Sequence, residues 1–353
     1  MKKKILVVDD SAFMRKVITD MIESDQQMEV VGVARNGEDA IAKIKLLKPD
    51  VVTLDIEMPK MDGLTALRTI MTEMPLPVIM LSSLTKKGAE ETLKALDLGA
   101  FDFITKPSSL IKVSAPEVKN ELIEKIQIAS RTKVKAIRSP KPSPKIDQSD
   151  TIVPSSSVQA KSIFKKIVAI GTSTGGPRAL QDVIPFIPSG INASFLIVQH
   201  MPSGFTKSLA ERLDSMSQIH VKEAENGDIL QQGWAYLAPG DQHLKVTKQN
   251  GQFVIKLDNG DRVNGHRPSV DAMMESIVDM NHKSVVGVIM TGMGADGAQG
   301  MKKLKDSGGF VIAQDEESCI VFGMPKIAIK LEAVDKVVSL SNIANEIVKA
   351  MEV

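Results

Sequence analysis

Short apolar runs that alternate with amphipathic segments dominate two stretches of this 353-residue chain. In the first, from residue 4 to about 131, the runs are ILVV, MEVVGV, DVVTL, PVIML and FDFI. The segments between them have apolar residues at helical spacing, such as Phe13, Val17 and Met21. Buried strands that alternate with amphipathic helices are typical of βαβ units and a parallel sheet. This pattern therefore predicts an α/β fold.

A segment rich in proline and serine separates this stretch from a second alternation. It contains RSPKPSPKIDQSDTIVPSSSVQ, whose prolines interrupt both helices and strands, as in extended linkers. Beyond it, the strand-like runs KIVAIG, SFLIVQ and VVGVIM alternate with helix-like segments, and QQGWAYLAPG and GQFVIKLDNG look like hairpin strands. We predict a domain at 1–122, a linker at 123–162, and a doubly wound α/β domain with a β-hairpin insert at 163–353.

Composition excludes several classes of protein. The net charge is +1 and aromatic residues make up 3%, which argues against a nucleic-acid partner. The chain has no run of 18 apolar residues, and ILVV is too short for a signal peptide, so we expect a cytoplasmic protein without membrane insertion. The single cysteine, Cys319, excludes a disulfide framework within the chain and a cysteine-rich zinc site.

Polar side chains follow four of the five predicted N-terminal strands. Asp9 and Asp10 follow the first strand, Asp55 the third, Ser82 the fourth and Lys106 the fifth. With the strand order 2-1-3-4-5, these strand ends lie together at the ligand-binding edge of the sheet. Three neighbouring carboxylates repel one another and favour a hard cation such as Mg²⁺. Asp55 could then attack a phosphoryl group, whose charge the cation and Lys106 would neutralise.

A simpler interpretation is that Asp10 and Ser11 only cap a helix and that Asp55 only ends a strand. All five polar residues lie at strand ends, however, and this favours a cation-dependent phosphoryl-transfer site over simple capping. Four strings resemble a response-regulator receiver domain, which has a flavodoxin-like fold: VVDDS at 7–11, DIEMPKMDG at 55–63, MLSSLT at 80–85 and ITKP at 104–107.

The receiver resemblance implies a role for each of these residues. Asp55 is the expected phosphorylation site, and Asp9, Asp10 and Asp55 are the expected Mg²⁺ ligands. Ser82 is the expected switch hydroxyl. Lys106 is expected to contact the phosphoryl group and to precede a cis peptide bond to Pro107.

A glycine-rich string at 171–176, GTSTGG, follows the strand-like run KIVAI and precedes a helix that Pro177 opens. It matches G-x-S-x-G in the strand–turn–helix context that this motif requires. Ser173 would then lie at a helix N-terminus, where backbone N–H groups can stabilise an oxyanion. Ser173 is thus a candidate nucleophile.

A serine nucleophile needs a base. Among five histidines, only His200 directly ends a buried-type strand, on the predicted edge that carries the serine. His266 lies in the polar run NGHRPSVD, which could also border a site, and His243 is ambiguous. His220 and His282 have surface-like surroundings and receive no role.

A carboxylate should orient the base. Asp296 is the only acid in TGMGADGAQG at 291–300, which follows the strand-like run VVGVIM. It could instead cap a helix that begins near Gly297. We prefer the orienting role because the loop lies at the same edge as the serine.

The order serine, histidine, aspartate differs from that of α/β-hydrolases. The same part of the chain contains four strings that resemble the catalytic domain of the chemotaxis protein-glutamate methylesterases, the CheB family. They are IGTSTGGP at 170–177, VQHMP at 198–202, HRPSVD at 266–271 and MTGMGADGAQGM at 290–301.

The resemblance implies a phosphorylation-activated serine hydrolase that demethylates glutamate γ-methyl esters on chemoreceptors and deamidates receptor glutamines. Ser173, His200 and Asp296 would be catalytic, and the Met293 backbone N–H would bind the oxyanion. A histidine kinase would be the phosphodonor, and the hydrolase site would use no cofactor. We also hypothesise that the unphosphorylated receiver covers the serine.

Three other functions fit the sequence less well. A DNA-binding output needs a small basic helix-turn-helix domain, whereas the second stretch here is long and strand-rich. A nucleotide-binding output lacks both G-x-G-x-x-G and G-x-x-x-x-G-K-[ST] spacing. A degenerate hydrolase that acts as a scaffold is disfavoured by the intact set of candidate catalytic residues.

Overall fold

The computed structural model describes residues 2–106, 116–132, 166–282 and 284–352. Residues 133–162 of the predicted linker lie outside the described residues. Pro107 also lies outside them, so the expected cis peptide bond between Lys106 and Pro107 stays a prediction.

The N-terminal described residues form one parallel sheet. Its strands are β1 Lys3–Val8, β2 Met28–Ala34, β3 Val51–Asp55, β4 Val78–Ser82 and β5 Asp102–Thr105. They are arranged in the order β2-β1-β3-β4-β5, and all neighbouring pairs are parallel. Strands β3 and β4 are buried along their whole length, which explains why their sequences are largely apolar. The predicted receiver topology is confirmed.

Helices cover both faces of this sheet. They are α1 Ala12–Glu23, α2 Gly37–Leu47, α3 Gly63–Glu73, α4 Lys86–Asp97 and α5 Pro116–Ala129. Helix α5 buries Leu122, Ile126 and Ala129 in the cluster that contains β1 and α1 side chains. Residues 123–129, which we assigned to the linker, therefore belong to a helix packed on this sheet, because their apolar spacing continues past residue 122.

The C-terminal described residues form a larger α/β unit. Its strands are β6 Lys166–Thr172, β7 Ala193–Gln199, β8 His220–Glu223, β9 Trp234–Leu237, β10 His243–Gln249, β11 Gln252–Asp258, β12 Val285–Ile289, β13 Phe310–Gln314 and β14 Lys336–Val338. Seven of them form a parallel sheet in the order β14-β13-β12-β6-β7-β9-β8. Strand β6 thus lies between β12 and β7, and the carboxyl ends of all three strands share one edge.

The predicted hairpin is only partly correct. Strands β10 and β11 do form an antiparallel hairpin, with Asn250 and Gly251 in its turn. The other string, QQGWAYLAPG, was assigned wrongly, since Trp234–Leu237 pairs in parallel with β7 and β8. Its short apolar run carries no signal that separates a hairpin strand from an inner strand of a parallel sheet.

The helices of the second unit are α6 Gly176–Gln181, α7 Phe205–Met216, α8 Val270–Val278, α9 Ala298–Asp306, α10 Met324–Lys330 and α11 Leu340–Glu352, with a 3-10 turn at Ile184–Phe186. A strand-rich sheet of this size does not fit the small helical domain that a DNA-binding output requires. Over the described ranges, no helix is both long and apolar enough to cross a bilayer.

The two units contact each other beside the candidate nucleophile. Phe103 of β5 stacks on Phe205 of α7 with ring centroids 4.9 Å apart. Asp97 of α4 pairs with Arg212 of α7 and accepts a hydrogen bond from Gln181 of α6 at 3.2 Å. Helices α6 and α7 directly follow the loops that carry Ser173 and His200, so this contact lies on the candidate hydrolase site.

Candidate functional sites

The structure brings the three predicted carboxylates together at the edge of the N-terminal sheet. One oxygen from each of Asp9, Asp10 and Asp55 lies within 4.8 Å of the others. The Lys106 ammonium group lies 2.8 Å from Asp9 Oδ2 and 2.7 Å from Asp55 Oδ2. The simpler interpretation, in which Asp10 and Ser11 only cap a helix, holds in part: Ser11 does cap α1 by accepting a hydrogen bond from the backbone N–H of Met14.

Ser82 lies at the end of β4, and its hydroxyl is engaged with α4. It donates to the backbone carbonyl of Gly88 at 3.1 Å and accepts a hydrogen bond from Thr92 at 2.6 Å. Thr92 and Asp97 both belong to α4, and Asp97 contacts the second unit. Ser82 is therefore linked through one helix to the interface between the two units.

Burial, with a smaller effect of the neighbouring carboxylates, makes ionisation of Asp55 unfavourable. Burial raises the pKa of Asp55 to about 6 despite the opposing effect of Lys106, and the charges of Asp9 and Asp10 add to the rise. Three carboxylates facing one ammonium group leave excess negative charge. Their oxygens are the donors that Mg²⁺ prefers, so the residues present fit such an ion.

Replacing Asp55 by asparagine is expected to stabilise the metal-free protein near neutral pH. The carboxyl titrates near 3.9 in an unfolded chain, but at about 6 in the folded protein. Between these two pH values the folded state therefore binds more protons than the unfolded state. As the pH rises through 6, the free energy of unfolding falls by about 1–3 kcal/mol. Calorimetric unfolding with a chelator present, at pH about 4 and about 7.5, tests this difference.

The matched control is Asp20→Asn on α1, because Asp20 is exposed and pairs only with Lys16 among the described ion pairs. An Asp55→Asn protein no more stable than the wild type at the higher pH would contradict the prediction. An equal gain at both pH values would contradict it as well.

Ser173 occupies a tight turn between β6 and α6. Gly175 has a φ of 79°, a conformation that favours glycine, and Pro177 lies in the first turn of α6. The backbone N–H of Ser173 donates to the carbonyl of Thr291 at 3.1 Å. A side chain on Gly292 would approach Ser173 Cβ to 2.9 Å, so the loop after β12 needs glycine to pass this close. The predicted strand–turn–helix context of the serine is present.

His200 and Asp296 are joined by a short hydrogen bond. His200 Nε2 lies 2.8 Å from Asp296 Oδ2, and both side chains are almost completely buried. The other ring nitrogen, Nδ1, is buried and makes no hydrogen bond to any described residue. Nδ1 is therefore the nitrogen left to accept a proton. It does not bond the Ser173 hydroxyl in this structure, and such catalytic contacts often tighten only when substrate binds.

Asp296 accepts hydrogen bonds from several groups besides His200. Its Oδ1 accepts from Ser269 Oγ at 2.7 Å, and its Oδ2 accepts from the backbone N–H of Val270 at 2.7 Å. Burial raises the pKa of Asp296, but the bond to His200 and the other donors outweigh burial and hold this pKa well below its usual range. The carboxylate therefore stays ionised, and the helix-cap interpretation near Gly297 does not describe its contacts.

Met293 lies in the loop after β12, next to the glycine that contacts Ser173. The position of this loop is fixed by the Gly292 carbonyl, which accepts hydrogen bonds from the backbone N–H groups of Gly323 and Met324. The N–H of Met293 donates no hydrogen bond to another described residue, so it is available to an oxyanion. The Met293 side chain packs against the apolar cluster of the N-terminal unit.

Two positioning contacts were missed by sequence reasoning. Gln199 accepts a hydrogen bond from Thr172 at 2.6 Å and donates to the Ser173 carbonyl at 3.0 Å, which ties the serine turn to β7. Ser269 caps α8 and holds Asp296. A glutamine that ends an apolar strand and a serine that precedes a helix were the available signals, but neither indicates its distant partner.

Comparisons with known proteins agree with this architecture. A family model described as CheB methylesterase matches residues 168–347, and one described as response regulator receiver domain matches residues 5–115. A protein of Halalkalibacterium halodurans named protein-glutamate methylesterase/protein-glutamine glutaminase is 51% identical over 98% of this chain and 97% of its own length. A Pyrococcus horikoshii protein of the same name is 49% identical over 100% of this chain and 94% of its own.

One solved structure is similar to the second unit. The crystal structure of the Thermotoga maritima CheB methylesterase catalytic domain has a TM-score of 0.52 and 47% identity, and the match covers 54% of this chain and 99% of that one. Both parts of the resemblance seen in the sequence are confirmed. The chain belongs to the CheB methylesterase family and has a response-regulator receiver domain at its amino-terminal end.

Proposed function

We propose that this protein is a phosphorylation-activated protein-glutamate methylesterase that hydrolyses glutamate γ-methyl esters on chemoreceptors and also deamidates receptor glutamines. The observation that carries the proposal is the buried hydrogen bond between His200 Nε2 and Asp296, at the strand edge that presents Ser173. The names of the relatives supply the two activities. The proposed place of action is the cytoplasm.

Hydrolysis would proceed through an acyl-enzyme. The Ser173 oxygen attacks the ester carbonyl while His200 Nδ1 takes the hydroxyl proton. When the tetrahedral intermediate collapses, His200 returns this proton to the departing methoxy group, which leaves as methanol. A water molecule then repeats both steps and releases the glutamate carboxylate and the free serine. A glutamine amide reacts in the same way, with ammonia as the leaving group.

Two groups would stabilise charge during this reaction. Asp296 holds His200 with Nε2 protonated and faces the imidazolium that forms. The Met293 N–H would donate to the oxyanion, a contact typically worth about 3 kcal/mol. No cofactor is needed for these steps.

Asp55 is the proposed phosphorylation site, with a chemotaxis histidine kinase as the donor. Asp9, Asp10 and Asp55 would hold Mg²⁺, which would neutralise negative charge during phosphoryl transfer. Lys106 already bridges Asp9 and Asp55 and would pair with the phosphoryl group. Ser82 would exchange its bonds to α4 for a bond to a phosphoryl oxygen.

The receiver is proposed to inhibit the hydrolase by covering it. Thr174, next to the nucleophile, donates a buried hydrogen bond of 2.8 Å to Asp102 of β5. Phe103 stacks on the helix that follows His200, and Met293 packs on the receiver cluster. These contacts would keep a receptor helix away from Ser173. Phosphorylation would shift the equilibrium between the two units toward an open form.

The experiment that tests the proposal is release of radiolabelled methanol from methylated receptors, with and without a small phosphodonor. The phosphodonor and deletion of residues 1–140 are each expected to raise the rate about 5- to 150-fold, the usual range of such coupling. The deletion is reasonable because the matching catalytic domain of Thermotoga maritima crystallises alone. Absence of methanol release under every condition would reject the esterase function. A fragment less active than the unphosphorylated whole would reject inhibition by covering.

A further inference from the structure

His266 lies against the proposed general base. The His200 and His266 rings stack almost in parallel, with centroids 3.9 Å apart and an interplanar angle of 7°. The stack covers a face of the His200 ring, whereas the ring edge carries the two nitrogens. The hydrogen bond to Asp296 fixes only one point of that edge, so the imidazole could still tilt about it without the neighbouring ring.

His266 itself is held by a closed turn. The backbone N–H of His266 donates to the Val263 carbonyl at 2.9 Å, and the Val263 N–H donates back at 3.1 Å. Asn264 and Gly265, between them, have φ values of 53° and 80°, as the two central residues of tight hairpin turns do. Asn264 also donates to Asp296 Oδ1 at 3.2 Å. One turn therefore contacts both members of the histidine–aspartate pair.

The segment after this turn is anchored on its other side. Arg267 donates to the carbonyls of Asn259 and Gly260 at 2.9 and 2.8 Å. His243 accepts a hydrogen bond from the backbone N–H of Ser269 at 3.2 Å, and its Nε2 lies 2.9 Å from the Asp261 carbonyl oxygen. The sequence left His243 ambiguous, and these contacts make it a structural brace of the turn. The position of His266 is thus set by many bonds that do not involve His200.

We infer that His266 is a positioning residue whose ring face keeps the His200 imidazole oriented with Nε2 on Asp296 and Nδ1 available to the serine. The inference rests on the proposed hydrolase function and adds a residue to it. Stacking through ring faces offers no path for a proton, so His266 is not a second base.

The charge state of His266 supports this role. Burial, reinforced by the neighbouring His200, lowers the pKa of His266 to about 4, against the opposite effects of Asp296 and of Glu121 on the receiver helix α5. Arg262 also acts to lower it. The ring is therefore uncharged near neutral pH, and it does not repel the imidazolium that forms on His200 during the reaction.

The test compares His266→Phe, which keeps a planar uncharged ring, with His266→Leu, which removes the ring. His266→Leu is expected to lower kcat about 10- to 100-fold, since small misplacement of a catalytic group has effects of this size. KM should change less than about twofold because no substrate contact is removed. His266→Phe should stay within about threefold of the wild-type kcat. The control is Lys248→Leu, at an exposed position of β10.

A second readout does not depend on turnover. Nitrogen-15 NMR of labelled histidine in the full chain distinguishes protonated from unprotonated ring nitrogens. We expect one His200 tautomer, protonated at Nε2, in the wild type and in His266→Phe, and a mixture in His266→Leu. Circular dichroism and phosphorylation of Asp55 show whether each variant is folded.

Each contrary result has a definite meaning. A His266→Leu protein with the wild-type kcat and tautomer overturns the inference. A change in KM alone, or a His266→Phe protein as impaired as His266→Leu, also overturns it, since the ring face would not be the active feature. If the wild type releases no methanol, the hydrolase function fails instead, and the tautomer measurement still decides whether His266 positions His200.

Discussion

Replacing Ser173 by alanine is expected to lower the rate of methyl-ester hydrolysis on the order of 10⁵-fold or more, while phosphorylation of Asp55 continues at the wild-type rate. Ser173 is the only serine in the turn between β6 and α6, and alanine fits there because the turn conformation depends on Gly175. The nucleophilic oxygen disappears, so the acyl-enzyme cannot form. Residual activity would reflect direct attack by water assisted by the remaining oxyanion donors.

The measurement is methanol release together with incorporation of labelled phosphate. Ser215→Ala is the matched control, because its exposed hydroxyl on α7 bonds only the Arg212 carbonyl among the described groups. Trapping of labelled receptor peptide on the wild type, but not on Ser173→Ala, would identify the covalent intermediate. Demethylation retained within tenfold would remove Ser173 from the mechanism.

Replacing Asp296 by asparagine is expected to lower kcat about 10³- to 10⁴-fold. His200 Nε2 and the backbone N–H of Val270 both point to one carboxylate oxygen, and the Ser269 hydroxyl points to the other. All of these partners can act as donors. In either orientation of the asparagine side chain, its NH₂ group faces a hydrogen-bond donor, which is unfavourable. His200 therefore loses its preferred tautomer or its alignment. The charge that faces the imidazolium is lost too.

The pH dependence of stability should differ between Asp296 and Asp55, the proposed phosphorylation site. The pKa of Asp296 in the folded protein lies below its unfolded value, so its stabilisation is present above the unfolded pKa and is lost as pH falls. Asp296→Asn is thus expected to lower the unfolding temperature at neutral pH, and rates must be normalised to folded protein. The control is Asp306→Asn, an exposed side chain paired with Lys302. An Asp296→Asn enzyme with more than a tenth of the wild-type kcat would contradict the orienting role.

Most of the fold was predictable because hydrophobic patterning is local. The largely apolar runs VVTL before Asp55 and IVAI before Gly171 correspond to buried parts of β3 and β6. The polar residues that follow them lie at the strand ends, as expected. The assignment of Trp234–Leu237 to a hairpin was wrong, since a four-residue apolar run does not reveal which strand it will pair with.

The candidate site was predictable only in its principal residues. The positions of His200 and Asp296 after predicted strands indicate both residues, and a hydrogen bond joins them in the structure. His266 comes from a turn that no strand end announces, and its stack on His200 could not be foreseen. Likewise Asp102 and Thr174 belong to different units, and each looks ordinary in its own segment.

The sequence by itself determined which segments become strands and helices, that there are two α/β units, and which polar residues lie at the carboxyl ends of their strands. These properties follow from the spacing of apolar side chains and from short glycine-containing turns, which depend on neighbouring residues. Only the tertiary structure decided that β6 lies between β12 and β7, which nitrogen of His200 meets Asp296, and how the receiver contacts the serine turn. Hydrogen bonds and ring stacks of this kind form between segments tens of residues apart, where no local pattern specifies the partner.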